Sequence, residues 1–141
     1  MQKIAIYTDG GARGNPGPAG AGAVITDSEA GVLREVSKFL GHQTNNVAEY
    51  EAVILALEEL KKIIPKAKRK TVEVVVKMDS ELVVRQMAGK YQVKEPKLFP
   101  QYMKIHNIRV AEFPKLTFMH IRREQNKDAD RLANEAMDKG A

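Results

Sequence analysis

The 141-residue sequence contains no cysteine and no tryptophan, and its aromatic content is only 6%. Without cysteine the chain can form no disulfide bond, thiol nucleophile or cysteine-ligated zinc site. No uninterrupted apolar stretch approaches the roughly 20 residues that a membrane-spanning helix requires. The sequence opens directly in a strand-like segment, with no basic and then apolar export signal. We therefore expect a cytoplasmic protein that does not enter a membrane.

Positive charge exceeds negative charge, with 23 Lys and Arg against 18 Asp and Glu, which gives a formal net charge of +5. This balance favours a polyanionic partner without identifying it, because many basic proteins bind no nucleic acid. The length suits one compact domain with a single core. Since no internal repeat or linker divides the chain, we expect residues 1–141 to form a single, monomeric domain.

Apolar periodicity predicts nine elements in the order βββαβααβα. Strands are predicted over residues 3–9, 23–27, 32–40, 72–78 and 116–121, and helices over residues 45–64, 80–88, 101–111 and 126–139. A glycine- and proline-rich loop is expected over residues 10–22. Because the first three strands are joined so closely, they must run antiparallel. The predicted fold class is α/β, with a five-stranded mixed sheet of three antiparallel strands and then parallel strands, flanked by helices.

Three local features refine this prediction. Ser80 is suited to cap the short second helix, and Asn126 is suited to cap the last one. Val74 to Val76 form a continuous β-branched run, which is typical of a central strand covered on both faces.

Four acidic residues fall where this fold would gather them. Asp9 and Asp79 each end a predicted strand, and open α/β sheets place their sites at such carboxyl ends. Glu49 borders the face of the first helix that packs on the sheet, and Asp130 holds the matching position on the last helix. Spacing alone also allows these to be four unrelated surface or capping acids.

If the four acids do converge, they require positive counter-charge, because clustered carboxylates repel one another and resist burial. Mg²⁺ is the expected ion, since it prefers hard oxygen ligands, keeps several waters and engages phosphates. Two such ions roughly 3.5–4 Å apart would stabilise both the attacking and the leaving oxygen of a phosphoryl displacement.

Five short motifs then occur in order: Thr8-Asp9-Gly10-Gly11, Gly14 to Pro18, Thr44 to Glu49, Asp79-Ser80 and Asn126 to Ala133. Together they resemble the type 1 ribonuclease H family over essentially the whole chain. The resemblance implies an endonuclease that uses Mg²⁺ or Mn²⁺ to hydrolyse the RNA strand of RNA/DNA hybrids, leaving 5′-phosphate and 3′-hydroxyl ends. In that scheme Asp9, Glu49, Asp79 and Asp130 match the catalytic acids, which bind two metal ions when substrate is present.

The same resemblance suggests which residues bind substrate. Recognition of RNA requires contact with the 2′-hydroxyl, which short amides and exposed backbone can provide. Asn15, Asn45 and Asn46 match family positions near the nucleic-acid backbone, and Gly10-Gly11 leaves its backbone unshielded. Thr44 belongs to the same expected binding set. The alternatives are turn formation for Asn15 and helix capping for Asn45.

The chain departs from the better-known bacterial members in lacking tryptophan and a long basic insertion. It resembles the shortened archaeal and bacterial form, some members of which also cut double-stranded RNA. Lys90, Tyr91, Lys94 and Lys97 are candidates for replacement phosphate contacts, and an ordinary solvated loop is the alternative. A catalytically weak module that binds hybrid or double-stranded RNA is the alternative function.

The family's auxiliary histidine, which is thought to aid the release of product or metal, has no clear counterpart. An ungapped match places it at His120, but His120 alternates with Leu116 and Phe118 as a strand residue would. We therefore expect a shortened loop in which Arg123 or Glu124 takes that role.

Overall fold

The computed structural model describes residues 2–140, which contain five strands and four α-helices. The strands are β1 (Lys3–Ala12), β2 (Gly17–Asp27), β3 (Gly31–Gln43), β4 (Glu73–Met78) and β5 (Leu116–His120). The α-helices are α1 (Asn45–Ile63), α2 (Glu81–Met87), α3 (Phe99–Ala111) and α4 (Lys127–Gly140). Short 3-10 turns occupy Lys66–Lys68, Pro96–Leu98 and Arg123–Gln125. No helix within this described part of the chain combines the length and apolar character needed to cross a bilayer.

The strands form one sheet in the order β3-β2-β1-β4-β5. β2 pairs antiparallel with both β1 and β3, whereas β4 pairs parallel with both β1 and β5. The predicted fold class is therefore confirmed. Because β1 and β4 are parallel neighbours, their carboxyl ends meet at the same edge of the sheet.

The main hydrophobic core lies on one face of the sheet. Ile4 and Ile6 of β1 and Val74 and Val76 of β4 are buried there, in register as Ile4–Val74 and Ile6–Val76. They belong to the same core cluster as the buried side of α1, including Leu57. Removing such aliphatic surface from water drives the packing of α1 on the sheet, at about 25 cal/mol per Å².

The opposite face is covered by α4, which packs on β1, β2 and β3. Gly22 of β2 allows this approach, because a Cβ there would stand 2.5 Å from the carbonyl oxygen of Ala129. Val75 and Lys77 of β4 remain partly exposed on this face. The expectation that β4 is covered on both faces is therefore wrong, because α4 covers the second face of the sheet mainly over β1, β2 and β3.

β1 and β2 both extend further than the sequence predicts. β1 continues to Ala12, and β2 already begins at Gly17. The added residues are largely glycine, alanine and proline, which have low strand propensity, so pairing between the strands holds them in the sheet. Asp9 stands opposite Gly22. It therefore lies within a strand rather than at its end.

One helix start agrees with the prediction, one resolves an alternative and one differs. Ser80 caps α2 as predicted, accepting a hydrogen bond from the backbone N–H of Val83. The N-cap of α1 is Thr44, whose hydroxyl accepts from the N–H of Val47 at 3.2 Å. Helix capping by Asn45 is thereby excluded. α3 begins two residues earlier than predicted. Proline is accepted in its first turn, because backbone N–H groups there have no acceptor within the helix and proline lacks an N–H.

Asn126 does not cap α4 with its side chain, and that prediction is wrong. Its amide donates to the carbonyl oxygen of Thr8 at 2.8 Å, and its Oδ1 has no hydrogen-bond partner within residues 2–140. The β1–β4 register ends at Tyr7, so the next carbonyl needs another donor. The buried amide of Asn126 supplies it and ties the start of α4 to β1.

Candidate active site

The four acids predicted to converge line one cleft of about 420 Å³. Each comes from a different element: Asp9 from β1, Glu49 from α1, Asp79 from the residue after β4, and Asp130 from the first turn of α4. The cleft lies where the pairing between β1 and β4 ends. The convergence predicted from the sequence is thus present in the fold.

The sheet register explains why Asp9 and Asp79 meet. Tyr7 pairs with Lys77 in the parallel ladder, so the residues two positions further along lie at the same level on neighbouring strands. Gly10 allows α1 to lie close enough to β1 for Glu49 to reach the cleft. A Cβ at this position would overlap the carbonyl of Ala48 and touch the backbone nitrogen of Glu49. Bare backbone contact therefore sets α1 directly beside Asp9.

The surroundings of Asp9 oppose its ionisation. Burial is the largest effect, and the negative charge of Asp79 acts in the same direction. A hydrogen bond with Asp130 and the charges of Asp130 and Glu49 add to it, which raises the pKa of Asp9 to about 8. Asp9 is therefore expected to hold a proton near neutral pH while no cation is bound.

Glu49 is shifted in the same direction but is partly compensated. Burial raises its pKa to about 7, and the charge of Asp79 contributes to the rise. A hydrogen bond with Ser80 and the nearby charge of Arg123 both favour the ionised form. Ser80 thus has two roles, because its hydroxyl also accepts from the N–H of Val83 to cap α2.

The donor set fits a hydrated hard cation. Within residues 2–140 no three acidic or histidine side chains already stand close enough together to enclose a metal ion. Mg²⁺ does not need such a cage, because it keeps several waters and commonly uses one or two carboxylates. The cleft offers carboxylate oxygens without cysteine or histidine, and burial together with the neighbouring acids raises the pKa values of Asp9 and Glu49.

The two candidates for the auxiliary role are separated by the fold. Arg123 lines the carboxylate cleft, where its charge acts on Glu49. Glu124 lines a different cavity of about 330 Å³, together with Tyr7 and Val32. His120 is the exposed last residue of β5, paired with Met78, so its predicted position on a strand is confirmed.

Only some of the predicted substrate-binding residues line the carboxylate cleft. Gly10, Gly11 and Asn45 line the cleft. The Oδ1 atom of Asn45 accepts from the N–H of Ala12 at 2.8 Å, and the Oδ1 atom of Asn15 accepts from the N–H of Asn45 at 3.1 Å. These bonds fasten the β1–β2 connection to α1 and leave the side-chain NH₂ of Asn45 as the group that can face a ligand.

Asn46 belongs to a neighbouring groove instead. This groove has a volume of about 550 Å³ and is also lined by Lys90, Tyr91 and Lys94. Lys97 is not among its lining residues. Because Asn45 and Asn46 are consecutive, the groove and the carboxylate cleft adjoin at the start of α1.

Three polar residues near the cleft have contacts that the sequence did not reveal. Ser80 was predicted only as a cap, although a serine directly after Asp79 could have suggested a contact with another acid. Arg13 and Asn134 also line the cleft. Their proximity depends on where the C-terminal half of α4 crosses the β1–β2 connection, which no local pattern encodes.

A family model described as reverse transcriptase-like matches residues 7–136. Because this match covers more than half of the chain, the domain belongs to that reverse transcriptase-like class. Among curated proteins, the chain is 43% identical over 140 residues to "Bifunctional protein Rv2228c" of Mycobacterium tuberculosis, covering 99% of this chain and 36% of that protein. It is 35% identical over 136 residues to "Ribonuclease HI" of Halobacterium salinarum, covering 96% and 65%. The chain therefore spans about a third of the first relative and under two thirds of the second.

Solved structures show the same relationship at greater coverage. LC11-RNase H1, isolated from compost, is 57% identical with a TM-score of 0.92, and the match covers 99% of both chains. LC11-RNase H1 is also known in complex with an RNA/DNA hybrid, in a structure with 56% identity, a TM-score of 0.92 and coverage of 97% and 98%. The chain belongs to the type 1 ribonuclease H family.

Proposed function

We propose that this chain is a metal-dependent endonuclease that hydrolyses the RNA strand of RNA/DNA hybrids and leaves 5′-phosphate and 3′-hydroxyl ends. The convergence of four carboxylates in one cleft of a type 1 ribonuclease H fold carries this proposal. The existence of an LC11-RNase H1 complex with an RNA/DNA hybrid supports the substrate class. The single-domain, monomeric and cytoplasmic character expected from the sequence stays a prediction.

Asp9, Glu49, Asp79 and Asp130 would hold the divalent cations, with Mg²⁺ or Mn²⁺ as the expected ion. Two such ions, when bound, supply an activated water and stabilise the departing 3′ oxygen, so no side chain has to act as a nucleophile. The acids must be ionised for this task. Asp9 therefore has to release the proton that burial and the neighbouring Asp79 and Asp130 make it retain.

Other side chains prepare the acids for that role. Ser80 bonds to the carboxylate of Glu49, and the charge of Arg123 favours its ionised form. Arg123 lies in the cleft where a cleaved phosphate would leave, so we assign to it the auxiliary role in product release. Glu124 faces the other cavity and is the weaker candidate for this role.

Substrate recognition would divide between the two adjoining depressions. The side-chain NH₂ of Asn45 and the exposed backbone at Gly10 and Gly11 border the acids, where an RNA 2′-hydroxyl would lie. The groove beside Asn46 offers two lysines and a half-exposed Tyr91, which suit phosphates and a sugar of the second strand. This arrangement would replace the basic insertion that the chain lacks.

The decisive experiment compares cleavage of RNA/DNA, RNA/RNA and DNA/DNA duplexes with Mg²⁺ and with Mn²⁺. We expect cleavage of the RNA strand of the hybrid, with end analysis giving 5′-phosphate and 3′-hydroxyl. Asp9→Asn should lower the rate at least about a thousandfold while its circular dichroism spectrum and hybrid binding stay close to those of the unaltered chain. Equal cleavage of DNA/DNA, or full activity of Asp9→Asn, would contradict the proposal. Cleavage of RNA/RNA would add double-stranded RNA as a second substrate.

A further inference from the structure

Arg13 lies at the rim of the carboxylate cleft, on the connection between β1 and β2. The backbone that carries it is firmly placed. The N–H of Arg13 donates to the carbonyl of Pro18 at 2.9 Å, and the N–H of Ala12 donates to Asn45 at 2.8 Å. Arg13 therefore projects from a fixed point, and its long side chain is the part that can change partner.

The guanidinium group of Arg13 is engaged by the second half of α4. Its Nη1 atom lies 2.6 Å from Oδ1 of Asp138. Its Nη2 atom makes only long contacts with Asn134, at 3.4 Å to Oδ1 and 3.5 Å to the carbonyl oxygen. The side chains of Arg13 and Asp138 are 46% and 65% exposed, and ion pairs in such surroundings add little to stability. The contact can therefore be exchanged at small cost.

A nucleic-acid phosphate would be a competing partner for this group. The planar fork of arginine matches two phosphate oxygens, and a nucleic acid lying over the carboxylates must pass along the cleft that Arg13 lines. Among the described residues that line the cleft, only Arg13 and Arg123 carry positive charge. Because Arg123 is assigned to product release, Arg13 is the other cation of this cleft that the incoming nucleic-acid backbone meets.

We propose that Arg13 binds a phosphate of the nucleic-acid substrate, and that Asp138 holds its guanidinium in the free chain and competes with the substrate for it. This inference rests on the proposed function. It requires two substitutions to act in opposite directions. Loss of Arg13 should weaken binding, whereas neutralising Asp138 should strengthen binding, and only while Arg13 is present.

Binding is best measured in an Asp9→Asn background, in which hydrolysis is blocked, with a short fluorescent RNA/DNA hybrid and Mg²⁺ at several salt concentrations. Adding Arg13→Ala should raise Kd roughly tenfold and reduce the slope of log Kd against log salt by about one. Asp138→Asn should lower Kd about two- to threefold, and this gain should vanish when Arg13→Ala is also present. Arg131→Ala is the matched control, because Arg131 pairs with Glu35 and Glu135 and does not line the cleft.

Steady-state kinetics and melting separate this role from a structural one. In the otherwise unaltered chain, Arg13→Ala should raise KM with little change in kcat and leave the melting temperature unchanged, and Arg13→Lys should restore part of the affinity. Unchanged Kd and salt slope in Arg13→Ala would overturn the inference while leaving the proposed function intact. Tighter binding by Asp138→Asn without Arg13 would overturn it too, since that result indicates general repulsion. Failure of the unaltered chain to bind the hybrid would refute both.

Discussion

The carboxylates of the cleft and those of the outer surface meet opposite surroundings. Glu59 accepts hydrogen bonds from Arg34 at 2.9 Å and from Lys62 at 3.2 Å, and these partners lower its pKa. Asp9 and Glu49 are buried beside other acids, which raises their pKa values to about 8 and about 7. Surface acids that are paired with Lys or Arg stabilise the fold without a ligand, whereas the cleft acids are expected to stabilise it fully only when a cation is bound. This is the difference that we expect between a carboxylate that stabilises the fold and one that binds a cation.

The largest expected effect is the difference in cleavage rate between a variant that lacks a cleft carboxylate and one that lacks a surface carboxylate. Asp79→Asn should reduce cleavage of an RNA/DNA hybrid at least about a thousandfold, because Asp79 would be one of the cation ligands. Glu59→Gln should leave kcat and KM unchanged, since Glu59 lies on the outer side of α1 and pairs with Arg34. Similar losses in the two variants, measured in the same assay, would mean that the cleft acids have no special role.

A smaller effect is expected on the pH dependence of stability in the presence of a chelator. The pKa of Asp9 is raised in the fold, so between about pH 4 and pH 8 the unfolded chain binds fewer protons than the folded chain. Stability should then fall as pH rises through this window, with Glu49 contributing up to about pH 7. We expect the melting temperature to drop by roughly 5 °C from pH 5.5 to pH 8.5.

Two controls sharpen this test. Asp9→Asn should flatten the profile, because the group with the largest shift no longer titrates. Saturating Mg²⁺ should remove most of the fall, since a bound cation compensates the ionised carboxylates. A metal-free melting temperature that stays level or rises over this range would contradict the raised pKa values of Asp9 and Glu49.

The smallest expected effect is on the free energy of unfolding, when the paired carboxylate of Glu59 is replaced. Glu59→Gln should lower the free energy of unfolding by about 0.5 kcal/mol, because it weakens contacts with two partly exposed cations. Urea titration near neutral pH measures this change. Since the partners of Glu59 lower its pKa, the difference should disappear as pH falls through that lowered pKa and the carboxylate becomes protonated. A stabilising effect of the substitution would contradict the comparison.

The placement of the four acids around one cleft could be predicted from the sequence, because they follow simple periodic patterns. Asp9 and Asp79 follow the apolar runs of two strands that lie side by side, and Glu49 and Asp130 keep a fixed helical phase relative to buried residues. The exact extent of β1 and β2 could not be predicted, since their glycines and alanines join the sheet only through pairing with distant residues.

The parts of the site that could not be predicted depend on tertiary contacts. Asn126 has the residue type of a cap, but the unpaired carbonyl of Thr8 attracts its amide. Arg13 and Asp138 are separated by nearly the whole chain, and they meet only because α4 crosses the end of the β1–β2 connection. Local patterns contain no information about such encounters.

Gly10 limits which amino-acid substitutions this protein can accept. Because the backbones of β1 and α1 touch there without an intervening side chain, the spacing between Asp9 and Glu49 does not depend on the size of nearby core residues. The core beneath can therefore exchange one aliphatic residue for another without moving those two acids apart. A larger residue at position 10 would separate them directly, so this single position limits sequence drift more strictly than the hydrophobic interior does.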